Sequence, residues 1–180
     1  MKHRTVENIC TVLMILSTFL ISSKCSLTEE NWTVLLLKPE KTLLYIFGTL
    51  GSILFCFLLY RLSQRVRKPL KALCIFTAIC MPLSLMFIYE PINHQLQTTL
   101  HLLFAYLYFF EVNAIYIHIL YTLHFREPKI FHHLLKIYLF ILAGCTGLCV
   151  HFMVINTLFE LAFTCSMTLL IDYSLHLLKE

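Results

Sequence analysis

The chain has 180 residues, of which 59% are hydrophobic and only 13% charged, with a mean hydropathy of +0.79. Soluble domains carry about 25% charged residues, so there is more apolar surface here than one water-exposed fold can bury, and lipid has to take the surplus. The net charge of +4 does not indicate nucleic acid, because the basic residues sit in short segments flanking apolar runs, which is membrane patterning.

The first element is a targeting segment. Lys2 and Arg4 precede an apolar run from 9 to 21 interrupted by Thr11, Ser17 and Thr18, and Ser22, Ser23 and Lys24 end it. A basic start, a short apolar stretch and small residues at Ser23 and Cys25 fit a secretory signal; the run also approaches the lower limit for an uncleaved signal-anchor helix. Residues 1–25 are thus a signal peptide or a signal anchor, and both place residues 26–41 in the lumen or outside the cell. Asn31-Trp32-Thr33 in that segment is an N-x-T sequon, so Asn31 is a glycosylation candidate. Trp32, the one tryptophan, suits the membrane interface.

Residues 42–180 form a single transmembrane helical domain, with spans at about 42–62, 70–89, 98–123, 134–153 and 155–177. A helix rising about 1.5 Å per residue crosses about 30 Å of hydrocarbon in some 20 residues. The fold class is therefore all-α, a multi-pass transmembrane bundle of five spans after a signal peptide, or six if the first segment stays. The segment 61–71 carries Arg61, Arg65, Arg67, Lys68 and Lys71 with no acid, and 125–133 carries Arg126 and Lys129 against Glu127. The opposite loops, 90–97 and the turn near Val154, have no Lys or Arg. By the positive-inside rule the basic loops and the C-terminus are cytosolic and Asn31 is lumenal. The final turn is expected at Asn156, the best turn residue in the apolar stretch from 134 to 177.

All glycines fall in spans, giving small-x-x-x-small spacings at Gly48/Ser52 and Ala143/Gly147, where helices of this chain, a homodimer or another membrane protein can approach closely. Pro82 falls within a span, where a kink and freed carbonyls are expected.

Embedded polar residues are the candidate site. Glu111, Asn113 and His118 lie in the third of these spans, and a carboxylate at the midplane marks a functional position by default. Glu111 and His118 are seven apart, on one helical face that Thr122 extends, so they could pass protons or hold a polar ligand. The competing reading is interhelical hydrogen bonding that fixes packing. Glu160, with Asn156 one turn before it and His151 on the preceding span, is a second candidate.

The histidines lack the HxxxH and HxxHH boxes of membrane di-iron enzymes, and HExxH, CxxC, GxSxG and P-loop motifs are missing, so no catalytic residue, metal ligand or cofactor is assigned. Six cysteines fall inside spans, where they behave as small hydrophobes. Cys74, beside the basic loop, is a lipidation candidate. Gly48-Thr-Leu-Gly51 with Tyr60-Arg61 and Arg67-Lys68-Pro69-Leu70 loosely resembles the first helices of seven-helix receptors. The acid of their second helix is missing, Leu123-His124-Phe125-Arg126 replaces Asp-Arg-Tyr, and the spans are too few, so the chain is not assigned to that family.

The expected function is a non-enzymatic multi-pass protein of the secretory pathway or plasma membrane, acting by association or regulation. The alternatives are a small proton-coupled or polar-solute transporter using Glu111 and His118, and a membrane-embedded lipid-modifying enzyme or receptor-like protein.

Overall fold

The computed structural model describes residues 2–66, 69–90 and 92–178. Arg67 and Lys68 of the basic loop lie outside them. Through the described residues run α1 (Lys2–Ser22), a 3-10 helix (Trp32–Leu37), α2 (Lys41–Arg65), α3 (Lys71–Met86), α4 (Gln95–Arg126), α5 (Pro128–Phe152) and α6 (Thr157–Leu177). Helix is the form that satisfies every backbone group within a single segment, which lipid requires. The protein is an all-helical, multi-pass membrane bundle.

Five helices are long and apolar enough to cross a bilayer, and α1 is one of them. The sixth helix, α3, has 16 residues and reaches only about 24 Å at 1.5 Å per residue. It ends at Met86, where the sequence-based span ran on to 89. Its last turn is closed from α4: the His101 ring Nδ1 donates to the carbonyls of Ser84 (2.8 Å) and Phe87 (3.2 Å). Carbonyls only accept, so that nitrogen carries the proton. The expected linker at 125–133 shrinks to Glu127, which closes α4 and opens α5. Pro128 explains this, since its fixed φ and missing N–H suit the first helical position. The α5–α6 turn falls where expected, with Asn156 as the N-cap of α6, its side chain accepting from the Phe159 N–H at 3.0 Å. Met153 before it takes the left-handed conformation, φ 56°.

In the bundle, α1 packs on α2 and α6, α3 sits between α2 and α4, and α5 lies against α4 and α6. The Gly48/Ser52 face of α2 is consumed inside the chain. A Cβ on Gly48 would meet Leu85 of α3 at 2.9 Å. Pro82 continues α3 but has no N–H, so the carbonyl four residues back, on Ala78, loses its helical partner. Ser52 Oγ donates to that carbonyl at 3.2 Å.

The main core joins α2, α4, α5 and α6 through Leu58, Leu59, Leu62, Ile115, Tyr116, Leu134, Met167 and Ile171, all almost fully buried. A smaller cluster of Ile21, Trp32, Leu35, Leu36, Leu44 and Leu85 seats residues 23–40 across the opposite end of the bundle. That segment is called the strap below, and its side the strap end. The other side, with Arg61, Arg65 and Arg126, is the arginine end.

Candidate functional site

At the arginine end, Glu7 of α1 is buried at 2% exposure. Its two oxygens accept from Arg61 Nε at 3.0 Å and Arg65 Nη2 at 2.7 Å. A carboxylate at this depth is stable only when paired, and the bidentate arrangement with two guanidinium groups supplies that. Arg65 also reaches the last carbonyls of α6, on Leu175 and Leu178, and Arg126 reaches Val66 at the end of α2 (2.8 Å). Positive groups thus close the negative ends of two helices. Thr11, one turn after Glu7, donates to Asp172 at 3.2 Å, and Asp172 pairs with His176 at 3.4 Å.

Just inside this end, Tyr138 of α5 donates to Asn113 Oδ1 at 2.8 Å, while Asn113 Nδ2 donates to the Phe109 carbonyl at 2.7 Å. Tyr116 packs tilted against Tyr138, ring centres 5.2 Å apart, and its hydroxyl meets Ser174 of α6 at 3.1 Å. Asn113, a candidate ligand residue, therefore ties α4 to α5, with its amide used on both sides.

The Glu111, His118 and Thr122 stripe is not joined. Glu111 is half-buried, with Cys80 Sγ of α3 at 3.8 Å from its Oε2. His118 is exposed on the outer face of α4. Thr122 Oγ1 bonds to the His118 main-chain carbonyl at 2.9 Å, not to its ring. Cys74 is buried in the main core at 4% exposure.

The strap end is held by main-chain groups. The first amides of α6 are met by strap carbonyls: Thr157 N to Glu30 O at 2.6 Å and Leu158 N to Leu27 O at 2.8 Å. Thr157 Oγ1 adds a bond to Glu30 O, and Asn156 Nδ2 reaches Thr28 O at 3.2 Å. Glu160, one turn into α6, accepts from the Trp32 N–H at 2.7 Å, and the Trp32 indole donates to Ser22 Oγ at 3.0 Å. Asn156 and Glu160 are thus brought together on the strap, while His151 is exposed and touches only Phe152 among the ring contacts. In the sequon, Thr33 Oγ1 donates to Asn31 Oδ1. Lys38 holds Glu30 through two contacts at 2.8 and 2.9 Å. Lys38, then the Ser26 N–H, hold the Glu30 carboxyl below its ordinary pKa.

Beneath the strap lies a cavity of about 240 Å³ between α2, α4 and α6. Its walls are almost wholly apolar and aromatic, including Phe55, Phe109, Phe159 and Phe163, with Trp32 and Glu160 at the strap side. Phe109 and Phe163 have ring centres 4.9 Å apart, and Phe159 stacks on Phe163 at 6.1 Å. Tyr106, Phe110 and Ile155, also lining it, are 48%, 65% and 43% exposed, so its mouth opens sideways between α4 and α6. No α5 residue lines it.

Comparison with protein families, curated proteins and solved structures finds no match. The site must be read from its own geometry.

The sequence reading left Glu7 unused, as part of a basic leader. Its signal was present in the spacing: Glu7 and Thr11 are four apart, and so are Arg61 and Arg65, which gives two matching faces on neighbouring helices. The Tyr138–Asn113 and Trp32–Glu160 bonds had no such signal, since each joins groups far apart in the chain.

Proposed function

We propose that the chain is a non-enzymatic integral membrane protein of the secretory pathway or plasma membrane that works by lateral association, through the strap-end half of α5, with a second copy of itself. The observation that carries this reading is the contrast between the two small-residue faces. Gly48 and Ser52 are covered by α3, whereas Ala143, Gly144 and Gly147 are exposed, and a Cβ on either glycine would meet nothing within 4 Å. Outward glycines remove the side chains that would hold a neighbouring helix at a distance, and Phe140 and Val150, 80% and 64% exposed, flank them with apolar surface. Energy transfer between donor- and acceptor-tagged copies in dilute bilayers tests it. Gly147→Leu is expected to lower the transfer with the melting temperature unchanged; equal transfer in variant and parent overturns the reading.

Orientation belongs to the same proposal: α1 remains in the bundle, both ends of the chain are cytosolic and Asn31 is lumenal. The buried Glu7–Arg61–Arg65 cluster supports retention of α1, because removing α1 takes away the buried carboxylate that both guanidinium groups share. N-terminal sequencing of the mature protein, loss of a glycan in Asn31→Gln, and protease protection of a tag after Val66 check this; a cleaved leader or a protected tag refutes it. The transport reading has less support, because Glu111 and His118 share no hydrogen bond among the described residues and neither lines the aromatic cavity.

A further inference from the structure

We infer that the aromatic cavity under the strap is a binding site for a single-chain membrane amphiphile with a protonated amine, its ammonium at Glu160 and its alkyl chain leaving through the lateral mouth between α4 and α6. This goes beyond the association proposed for α5, which contributes nothing to the cavity.

Three features define the ligand. The first is the carboxylate. Glu160 Oε2 is fixed by the Trp32 N–H at 2.7 Å, and Oε1 has no hydrogen-bond donor among the described residues while the side chain lines the cavity. No cation pairs with Glu160 there: Lys38 is held by Glu30, and His101, which lines a smaller neighbouring cavity with Glu160, gives its Nδ1 proton to α3 carbonyls. A carboxylate in an apolar enclosure calls for a positive, hydrogen-bonding partner.

The second is the wall. Phe159 stacks on Phe163, and Phe109 packs tilted against Phe163, in the wall that Glu160 shares; ring faces attract an ammonium within about 6 Å. No Lys or Arg lines the cavity, so nothing there would meet a phosphate. That selects a free amine over a phospholipid headgroup that carries both charges, and an amine, unlike a neutral hydroxyl, brings the positive charge that favours the ionised form of Glu160.

The third is size and access. At about 240 Å³ the cavity is several times the ~30 Å³ share of a water molecule, and apolar cavities stay dry. It can take an ammonium and the first methylenes of one chain. The sideways mouth at Tyr106, Phe110 and Ile155 leads the rest of the chain into the hydrocarbon, so the ligand need never cross water.

The test uses the full chain in detergent–phospholipid micelles with a photoreactive sphingosine analogue as probe. Labelling is expected on peptides of α4 and α6, displaced by unlabelled sphingosine but not by a fatty alcohol or cholesterol. Glu160→Gln keeps the acceptor for Trp32 but removes the charge, and should weaken binding about tenfold or more, the size of a charge-assisted hydrogen bond. Ala105→Phe fills the cavity while leaving the Glu160 side chain in place and should abolish labelling at unchanged melting temperature; it decides the matter if Glu160→Gln folds poorly. Equal displacement by the alcohol or cholesterol, parent-like labelling of well-folded Glu160→Gln, or parent-like labelling of Ala105→Phe overturns the inference.

Discussion

The two ends of the bundle solve one problem with different chemistry. At the arginine end, side-chain charge closes the helices: Glu7 between Arg61 and Arg65, with Arg65 and Arg126 on helix C-terminal carbonyls. At the strap end, main-chain carbonyls of Leu27 and Glu30 close α6, aided by neutral amide and hydroxyl groups. Charged pairs are strong but unforgiving, since removing one member strands the other. Neutral bonds are worth less each and release more easily. The difference teaches where change can occur: the arginine end fixes the packing of α1, α2 and α6, and the strap end leaves space for a cavity with a half-used carboxylate.

The contrast breaks most sharply at Glu7. Glu7→Gln removes the buried carboxylate that Arg61 and Arg65 share, and a loss of about 3 kcal/mol is expected in unfolding by detergent titration. Less than about 1 kcal/mol would show that the cluster is solvated and the two ends alike. Next comes Asn156→Ala, which removes the cap of α6 and the bond to Thr28. About 1 kcal/mol is expected in the same titration, with faster proteolysis of the strap and no change at the arginine end.

The Glu30–Lys38 pair gives a smaller, pH-dependent effect. The folded carboxyl is held below its ordinary value, so its contribution is complete above the ordinary carboxylate range and is lost as the pH falls through the lowered one. Proteolysis of the strap should therefore quicken in acid, and Lys38→Gln should shrink that acid step, leaving the part due to the Ser26 N–H. A step of equal size in the variant counts against the pair. The smallest effect is expected at Glu111: Glu111→Gln keeps shape and polarity against Cys80, so abundance and association should match the parent, and so should those of His118→Ala on the exposed face. Lost activity at normal abundance in either would move the functional centre to α4.

Helix positions were legible because long apolar runs mark them: 98–123 was read as apolar helix and α4 is Gln95–Arg126, and Asn156 was read as the turn residue and caps α6. Polar residues inside apolar runs were also legible, which is why Glu111, Asn113 and Glu160 stood out. Partners were not. Seven-residue spacing placed Glu111 and His118 on one face, but a helix face does not say what covers it, and α3 covers Glu111 while His118 stays outside. Asn113 found Tyr138 across a helix pair that no local pattern encodes. Glu7 was hidden for another reason, since a basic leader and the first helix of a bundle begin with the same residues.

The Ser52 bond to Ala78 bears on biogenesis. Entering the bilayer alone, α3 is short for its thickness and carries a carbonyl that Pro82 has left without a donor, in a solvent that offers none. The hydroxyl that answers it is already placed on the preceding helix, at the spacing that also brings Gly48 against Leu85. The α2–α3 hairpin is therefore expected to insert as a unit, with α3 entering the bilayer on the flank of the helix that precedes it.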